Sequence, residues 1–118
     1  MELRTWNIPV MAMRGITVFP HMSLTFDVER PFSIRALEHA MEIDQRIFLV
    51  TQKSLSVNEP KEDDLYPVGT VSRVKQVLRI NANMVRVMVE GECRAQLRRL
   101  WQAAPYLQGV WETIPWID

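Results

Sequence analysis

The sequence holds one cysteine, Cys93, and two histidines, His21 and His39, set far apart along 118 residues. That inventory excludes a disulfide framework and a zinc cluster built from cysteine and histidine ligands. Four glycines are present, and none falls in a Gly-x-x-x-x-Gly-Lys-Ser/Thr phosphate loop, a Gly-x-Gly-x-x-Gly fingerprint or a Gly-x-Ser-x-Gly elbow. No window approaches the roughly 18 apolar residues of a membrane span, and Met1-Glu-Leu-Arg-Thr5 lacks the apolar core of a signal peptide. An excess of one charge sign is also missing. With 14 basic residues against 14 acidic ones, a protein held on nucleic acid by phosphate contacts alone is disfavoured. The expectation is one soluble, cytoplasmic domain spanning residues 1–118, large enough to bury its own core, with residues 1–6 and 115–118 as loosely ordered ends.

What is present is β-pattern. From Val68 to Leu97 the chain reads as the central ribbon of a small domain. In its second half Val85, Val87 and Val89 alternate with Met84, Arg86, Met88 and Glu90, as in a half-buried strand. The same parity runs past Gly91 through Cys93, Ala95 and Leu97, so one long strand, bent at Gly91, is expected to keep one face in the core. The first half is mixed: Val68, Val74, Leu78 and Ile80 share one parity and Val71 and Val77 the other, which implies burial on both faces or a bulge. Asn81-Ala82-Asn83 makes the turn.

Further strands are expected at residues 6–13, 22–29, 47–50 and 106–114. In the second of these Met22, Leu24, Phe26 and Val28 oppose Ser23, Thr25, Asp27 and Glu29. The short run Ile47-Phe-Leu-Val50 suits a strand covered on both faces. One helix begins near Pro31, whose ring fits a first turn. It carries Ile34, Leu37, Ala40 and Met41 as one apolar stripe, and Glu42 and Arg46 are spaced for an i,i+4 pair. Ser54 to Leu65, with Glu62-Asp63-Asp64, reads as a solvated loop rather than a calcium site, because the alternating ligands and central glycine of a calcium loop are missing.

The side chains give no catalytic constellation. His39 falls on the polar side of the helix and His21 in a turn, both as ordinary solvated histidines. Cys93, on the core parity of its strand, is expected to be buried and inert. Charge is uneven: residues 1–64 carry 7 basic and 10 acidic side chains, residues 65–118 carry 7 and 4. The basic half is chiefly the solvated face of paired strands. Seven methionines stand out. Met84 and Met88 lie opposite the valine face, and Met11 and Met13 lie opposite Val10 and Ala12. Either both strand faces are covered within a closed barrel, or these thioethers form a deformable apolar surface of the kind that accepts many partners.

Seven stretches, in order, carry a resemblance. They are Ile8-Pro9-Val10; Met13-Arg14-Gly15; Val18-Phe19-Pro20-His21; Ser33-Ile34 with Leu37-Glu38-His39-Ala40-Met41; Ile47 to Lys53; Asp64-Leu65-Tyr66 with Val68-Gly69-Thr70; and Val85 to Gly91 with Arg94-Ala95. Over residues 8–112 the chain resembles the N-terminal domain of Lon, the ATP-dependent protease. Two features depart from the family pattern: Ala12-Met13 stands where Pro-Leu is usual, and Asn81-Ala82-Asn83 lacks the usual glycine of the turn.

The resemblance implies a mainly β (α+β) fold, a PUA-like pseudo-barrel of about six strands with one α-helix. It implies a non-catalytic module that captures unfolded or damaged polypeptides. The rest of a Lon chain and a homo-hexamer of the full protein are the implied partners, with no membrane. ATP and magnesium are expected only in an ATPase module outside these residues, with no cofactor in this domain. Pro115-Trp116-Ile117-Asp118 reads as a point from which the chain is expected to continue. The candidate polypeptide-binding surface is Met11, Met13, Phe19, Pro20, Met84, Arg86 and Met88. The alternative is a stand-alone Lon-like, PUA-like module for nucleic acid or for an adaptor partner.

Overall fold

The structure, a computed structural model, describes residues 5–102 and 105–114. Six strands and one helix follow in the order β1 (Thr5–Met13), β2 (Ser23–Val28), α1 (Pro31–Glu42), β3 (Arg46–Thr51), β4 (Val68–Asn81), β5 (Met84–Gln102) and β6 (Leu107–Thr113). Their order in the sheet is β2-β5-β4-β3-β1-β6, and β6 returns to pair with β5. Five strands therefore close into a barrel. β2 stays outside the ring as an added strand along the distal half of β5, with Ser23 opposite Glu90 and Val28 opposite Val85. Only β1 and β3 run parallel, and such a pair needs a long crossover. The crossover carries β2 and α1, which places the helix against β1 and β3.

Two apolar clusters fill this frame. One lies inside the barrel and joins Trp6, Ile8, Val10, Phe48, Val71, Ala95, Leu107 and Trp111. The other lies between α1 and the sheet and joins Met11, Met13, Leu37, Ala40, Ile47, Leu49, Val74, Val85, Val87 and Val89. Strands β1 and β3 separate the clusters and are buried on both faces, so Val10, Met11, Ala12 and Met13 are all covered. The expectation that residues 1–6 hang loosely is corrected in part: β1 already contains Thr5, and Trp6 is buried. The predicted ending at 115–118 lies outside the described residues.

β5 changes clusters while keeping its parity. Val85, Val87 and Val89 face α1, whereas Cys93, Ala95 and Leu97 face the barrel interior. The cause is a bulge. Val71 pairs with Cys93 and Ser72 with Gly91, so Glu92 is an extra residue that turns the pleat over. A second bulge at Lys75, between the pairs Val74–Val89 and Gln76–Met88, does the same in β4. It sends Val77 to the helix side with Val87, and Leu78 to the opposite side with Arg86.

Glycine is required where backbones meet. The peptide around Gly91 receives the His21 N–H on its carbonyl at 2.8 Å and donates its own N–H to Met22 at 2.9 Å. A Cβ there would lie 2.3 Å from the Phe19 carbonyl oxygen. The Phe19–Met22 turn, with His21 at a φ of 69°, thus sits directly on β5.

Two smaller expectations are corrected. The helix ends at Glu42, so Arg46 belongs to β3 and has no i,i+4 geometry; its Nε instead donates to Glu92 at 2.7 Å. Cys93 is half-buried against the barrel cluster rather than sealed within it.

Candidate polypeptide-binding surface

The seven residues singled out in the sequence occupy three different places. Met11 and Met13, 2% and 6% exposed, are packed beneath α1. They are corrected out of any surface, because the helix covers the face of β1 that alternation left open. The remaining five are accessible, but on two sides of the sheet. Phe19 is 54% exposed; Pro20 is half-buried beside it. The Arg94 guanidinium stands 5.3 Å from the centre of the Phe19 ring. Arg94 pairs with Thr70, and Thr70 with Leu49, so the register puts Phe19 on the side of the sheet that faces α1.

Met84, Arg86 and Met88 point the other way. The ladder sets Leu78 beside Arg86 and Gln76 beside Met88 on β4, and Asp27 beside Arg86 and Thr25 beside Met88 on β2. The result is a three-stranded outer face with Leu78, Met84 and Met88 as its apolar members. Arg86 is fixed on it by Asp27, through Nε to Oδ1 at 2.8 Å and Nη2 to Oδ2 at 3.3 Å. This two-pronged contact holds the Asp27 carboxyl below the ordinary aspartate range and raises Arg86 further, the hydrogen bond being the main cause in both.

Sequence reasoning missed the rest of this region. Val77, Leu78 and Ile80 are exposed by 39, 53 and 40%, because β4 outruns both α1 and β3: its last pairing with β3 is Arg73. On the helix side, Val77 and Val85 face Ile34, Leu37 and Met41 across a groove of about 220 Å³, which Glu38 and Arg79 flank. The available signal was the run Val77-Leu78-Arg79-Ile80, whose apolar residues fit neither parity alone.

A second concavity, of about 240 Å³, lies where β1 and β2 end and α1 begins. Arg14, Arg30 and Ser33 line it together with Met11, Met13 and Phe26. The Arg30 guanidinium donates to the Gln52 Oε1 and to the Ala12 carbonyl and stands 4.9 Å from the centre of the Phe32 ring. Desolvation, with a smaller contribution from Arg14, pushes its pKa down to about 10.

Residues 7–116 match the family model described as the ATP-dependent protease La (LON) substrate-binding domain. The chain belongs to the Lon substrate-binding domain family. It is 41% identical over 108 residues to the Lon protease of Clostridioides difficile, covering 92% of this chain and 14% of that protein. It is 45% identical over 109 residues to Lon protease 1 of Thermus thermophilus, again covering 92% and 14%. This Lon domain therefore spans about one seventh of the length of those relatives. Two solved structures share its fold. The N-terminal domain of Mycobacterium avium complex Lon protease superposes with a TM-score of 0.71 at 20% identity, covering 96% of this chain and 57% of that one. The Lon N-terminal domain protein from Xanthomonas campestris gives 0.66 at 12%, covering 92% and 59%. The Lon pattern's departure at Asn81-Ala82-Asn83 leaves the hairpin intact: Ala82 and Asn83 form the turn, and the Asn81 side chain accepts the Asn83 N–H at 2.8 Å. The same alternation that exposed β2 and β5 in the sequence thus describes a Lon domain correctly wherever no bulge interrupts it.

Proposed function

We propose that this domain is the non-catalytic recognition module of an ATP-dependent Lon-type serine protease, and that it captures unfolded or damaged polypeptides on the distal ribbon of β4 and β5. In this reading the chain continues into ATPase and protease modules in a cytoplasmic homo-hexamer, and ATP and magnesium act there. The observation that carries the reading is the exposure of Val77, Leu78 and Ile80, three large apolar side chains within four residues of one strand. Leu78 with half-buried Met84 and Met88 makes the outer apolar face of the ribbon, and Val77 lies on its opposite, helix-side face. Large exposed apolar patches mark interaction sites, and the family description names a substrate-binding domain.

Binding is by side chains on the faces of the ribbon, not by strand addition. The free edge of β4 beyond Arg73 carries bulges at Lys75 and Ile80 and the cations Lys75 and Arg79. Those are the devices that keep an edge from pairing with another chain. Thioethers and branched aliphatics adapt to many apolar sequences, which suits a module that takes unrelated unfolded chains. Arg86, neutralised by Asp27, leaves the outer face without strong charge preference. Phe19 and Pro20 form a separate apolar element on the other side of the sheet.

The test is anisotropy of a fluorescein-labelled, permanently unfolded polypeptide titrated with the protein and with Leu78→Ser/Met88→Ser. The double variant is expected to bind at least tenfold more weakly with its melting temperature within a few degrees of wild type. Equal affinity for the two proteins contradicts the ribbon assignment. Nucleic acid is the second reading, with a basic second half in its favour; retention of a DNA oligonucleotide with a steep salt dependence supports it.

A further inference from the structure

The cleft at the start of α1 brings together groups that share one requirement. Arg14 and Arg30 both line it, and neither has a carboxylate partner among the described residues. Arg14 donates to the Val57 carbonyl and the Asn58 Oδ1, and Arg30 to Gln52 and the Ala12 carbonyl. All four acceptors are neutral, so the two guanidiniums repel one another and Glu29 offsets them only in part. The helix adds to this positive field. No side chain among the described residues caps α1, and its first turn holds no acidic residue, so no group within that turn offsets the positive end of its dipole. An independent observation comes from Ser33 in that same turn. It lines the cleft, is 2% exposed, and its Oγ has no hydrogen-bond partner among the described residues. A buried hydroxyl without a partner is destabilising, and a ligand oxygen in the cleft relieves that cost.

We propose that this cleft binds a carboxylate, held by the Arg14 and Arg30 guanidiniums and the Ser33 hydroxyl, with the ligand's apolar body against Met11, Met13 and Phe26. The charge count selects a monoanion. Asp27 also lines the cleft but is engaged by Arg86, so Glu29 is the one acidic side chain there without a cationic partner among the described residues. Two arginines against one glutamate leave a single positive charge. A carboxylate balances it, whereas a phosphate group, carrying about 1.5 to 2 negative charges, leaves an excess beside Glu29. The volume of about 240 Å³ exceeds the ~150 Å³ in which an apolar cavity holds benzene. There is room for a carboxylate with a branched chain of several carbons. Such a group occurs in free short-chain acids and at the carboxyl terminus of a polypeptide. The site stands on its own residues and does not depend on the ribbon reading.

The experiment is an NMR titration of the 118-residue protein, read at the Ser33 amide and the Arg30 Nε–H. The probes are 4-methylpentanoate, its amide, acetyl-Gly-Gly-Leu as free acid and as amide, and inorganic phosphate. Saturable shifts are expected with the two acids and not with the two amides. Saturation by the peptide acid as well as the free acid assigns a polypeptide terminus; saturation by 4-methylpentanoate alone assigns a small acid, and both outcomes support a carboxylate site. Because Arg30 also ties α1 to Gln52 and β1, the variants are Arg14→Gln and Ser33→Ala. Each is expected to weaken the acid at least fivefold without lowering the melting temperature. Amides binding as well as acids, phosphate binding more tightly than either acid, variants binding like wild type, or no shift with any probe overturns the assignment.

Discussion

The Phe48 ring lies flat on the indole of Trp111, with centroids 3.4 Å apart and planes at 12°. β3 and β6 are not neighbours in the sheet, so this contact spans the inside of the barrel and ties the ring together across its middle. Both residues are completely buried. Trp111→Ala is expected to cost about 3–5 kcal/mol through the cavity it leaves. Trp111→Phe is expected to cost clearly less, since the indole Nε1 has no partner among the described residues and no hydrogen bond is lost. Urea denaturation of the two variants gives the order directly.

Close backbone approach makes two glycines irreplaceable. At Gly69 an added Cβ lies 2.5 Å from both the Leu49 carbonyl oxygen and the Phe48 ring; at Gly91 it lies 2.3 Å from the Phe19 carbonyl oxygen. Gly69→Ala is expected to destabilise the barrel by at least the ~1–3 kcal/mol typical of overpacking. Gly91→Ala instead detaches the Phe19–Met22 turn. Hydrogen exchange should find the His21 amide, which donates to the Gly91 carbonyl, deprotected in that variant while the β1 amides stay slow.

Acid loosens β2 through one carboxylate. The Arg86 contact holds the folded-state pKa of Asp27 below its ordinary 3.8. The ionised form is therefore favoured by folding, and its contribution is present above that ordinary value and fades as pH falls through the lower folded one. Asp27→Asn is expected to lower stability slightly at neutral pH, where the pair contributes, and to converge with wild type below about pH 4, which flattens that part of the profile. The pair is solvent-accessible on both sides, so the effect is also expected to shrink in high salt. Chemical denaturation at several pH values, with and without added salt, checks both.

The fold was legible because alternation and helix spacing are local. β2, β3 and the start of α1 could be placed to within a residue or two, and the mixed parity of residues 68–80 correctly signalled a bulge or two-sided burial. One group of errors has a single physical origin. Alternation says which residues share a face only until a bulge turns the pleat; Gly91 marks the bulge at Glu92 as a bend, and the bulge at Lys75 has no glycine or proline beside it. The mixed parity left Val77 and Leu78 without an assigned face, and the bulge at Lys75 puts them on opposite sides. Met11 and Met13 failed for a different reason: nothing in the alternation of β1 reveals that a helix lies over its second face. The unbroken apolar run Val10-Met11-Ala12-Met13 was the clue. Arg14, Arg30 and Ser33 could not be found by pattern at all, since turns and the helix start bring them together from separate segments.

Methyl-methionine NMR tests the central claim most directly. The seven methionines include Met84 and Met88 on the ribbon, Met41 on the groove beside Val77, and Met11 and Met13 sealed under α1. Titration of the ε-¹³C-methyl-labelled protein with a permanently unfolded polypeptide amidated at its carboxyl terminus, which leaves the cleft at the start of α1 empty, is predicted to shift Met84, Met88 and Met41 and to leave Met11 and Met13 in place. Shifts confined to Met22, beside the Phe19 turn, or perturbation of Met11 and Met13 without Met84 and Met88, contradict the assignment of polypeptide capture to the ribbon.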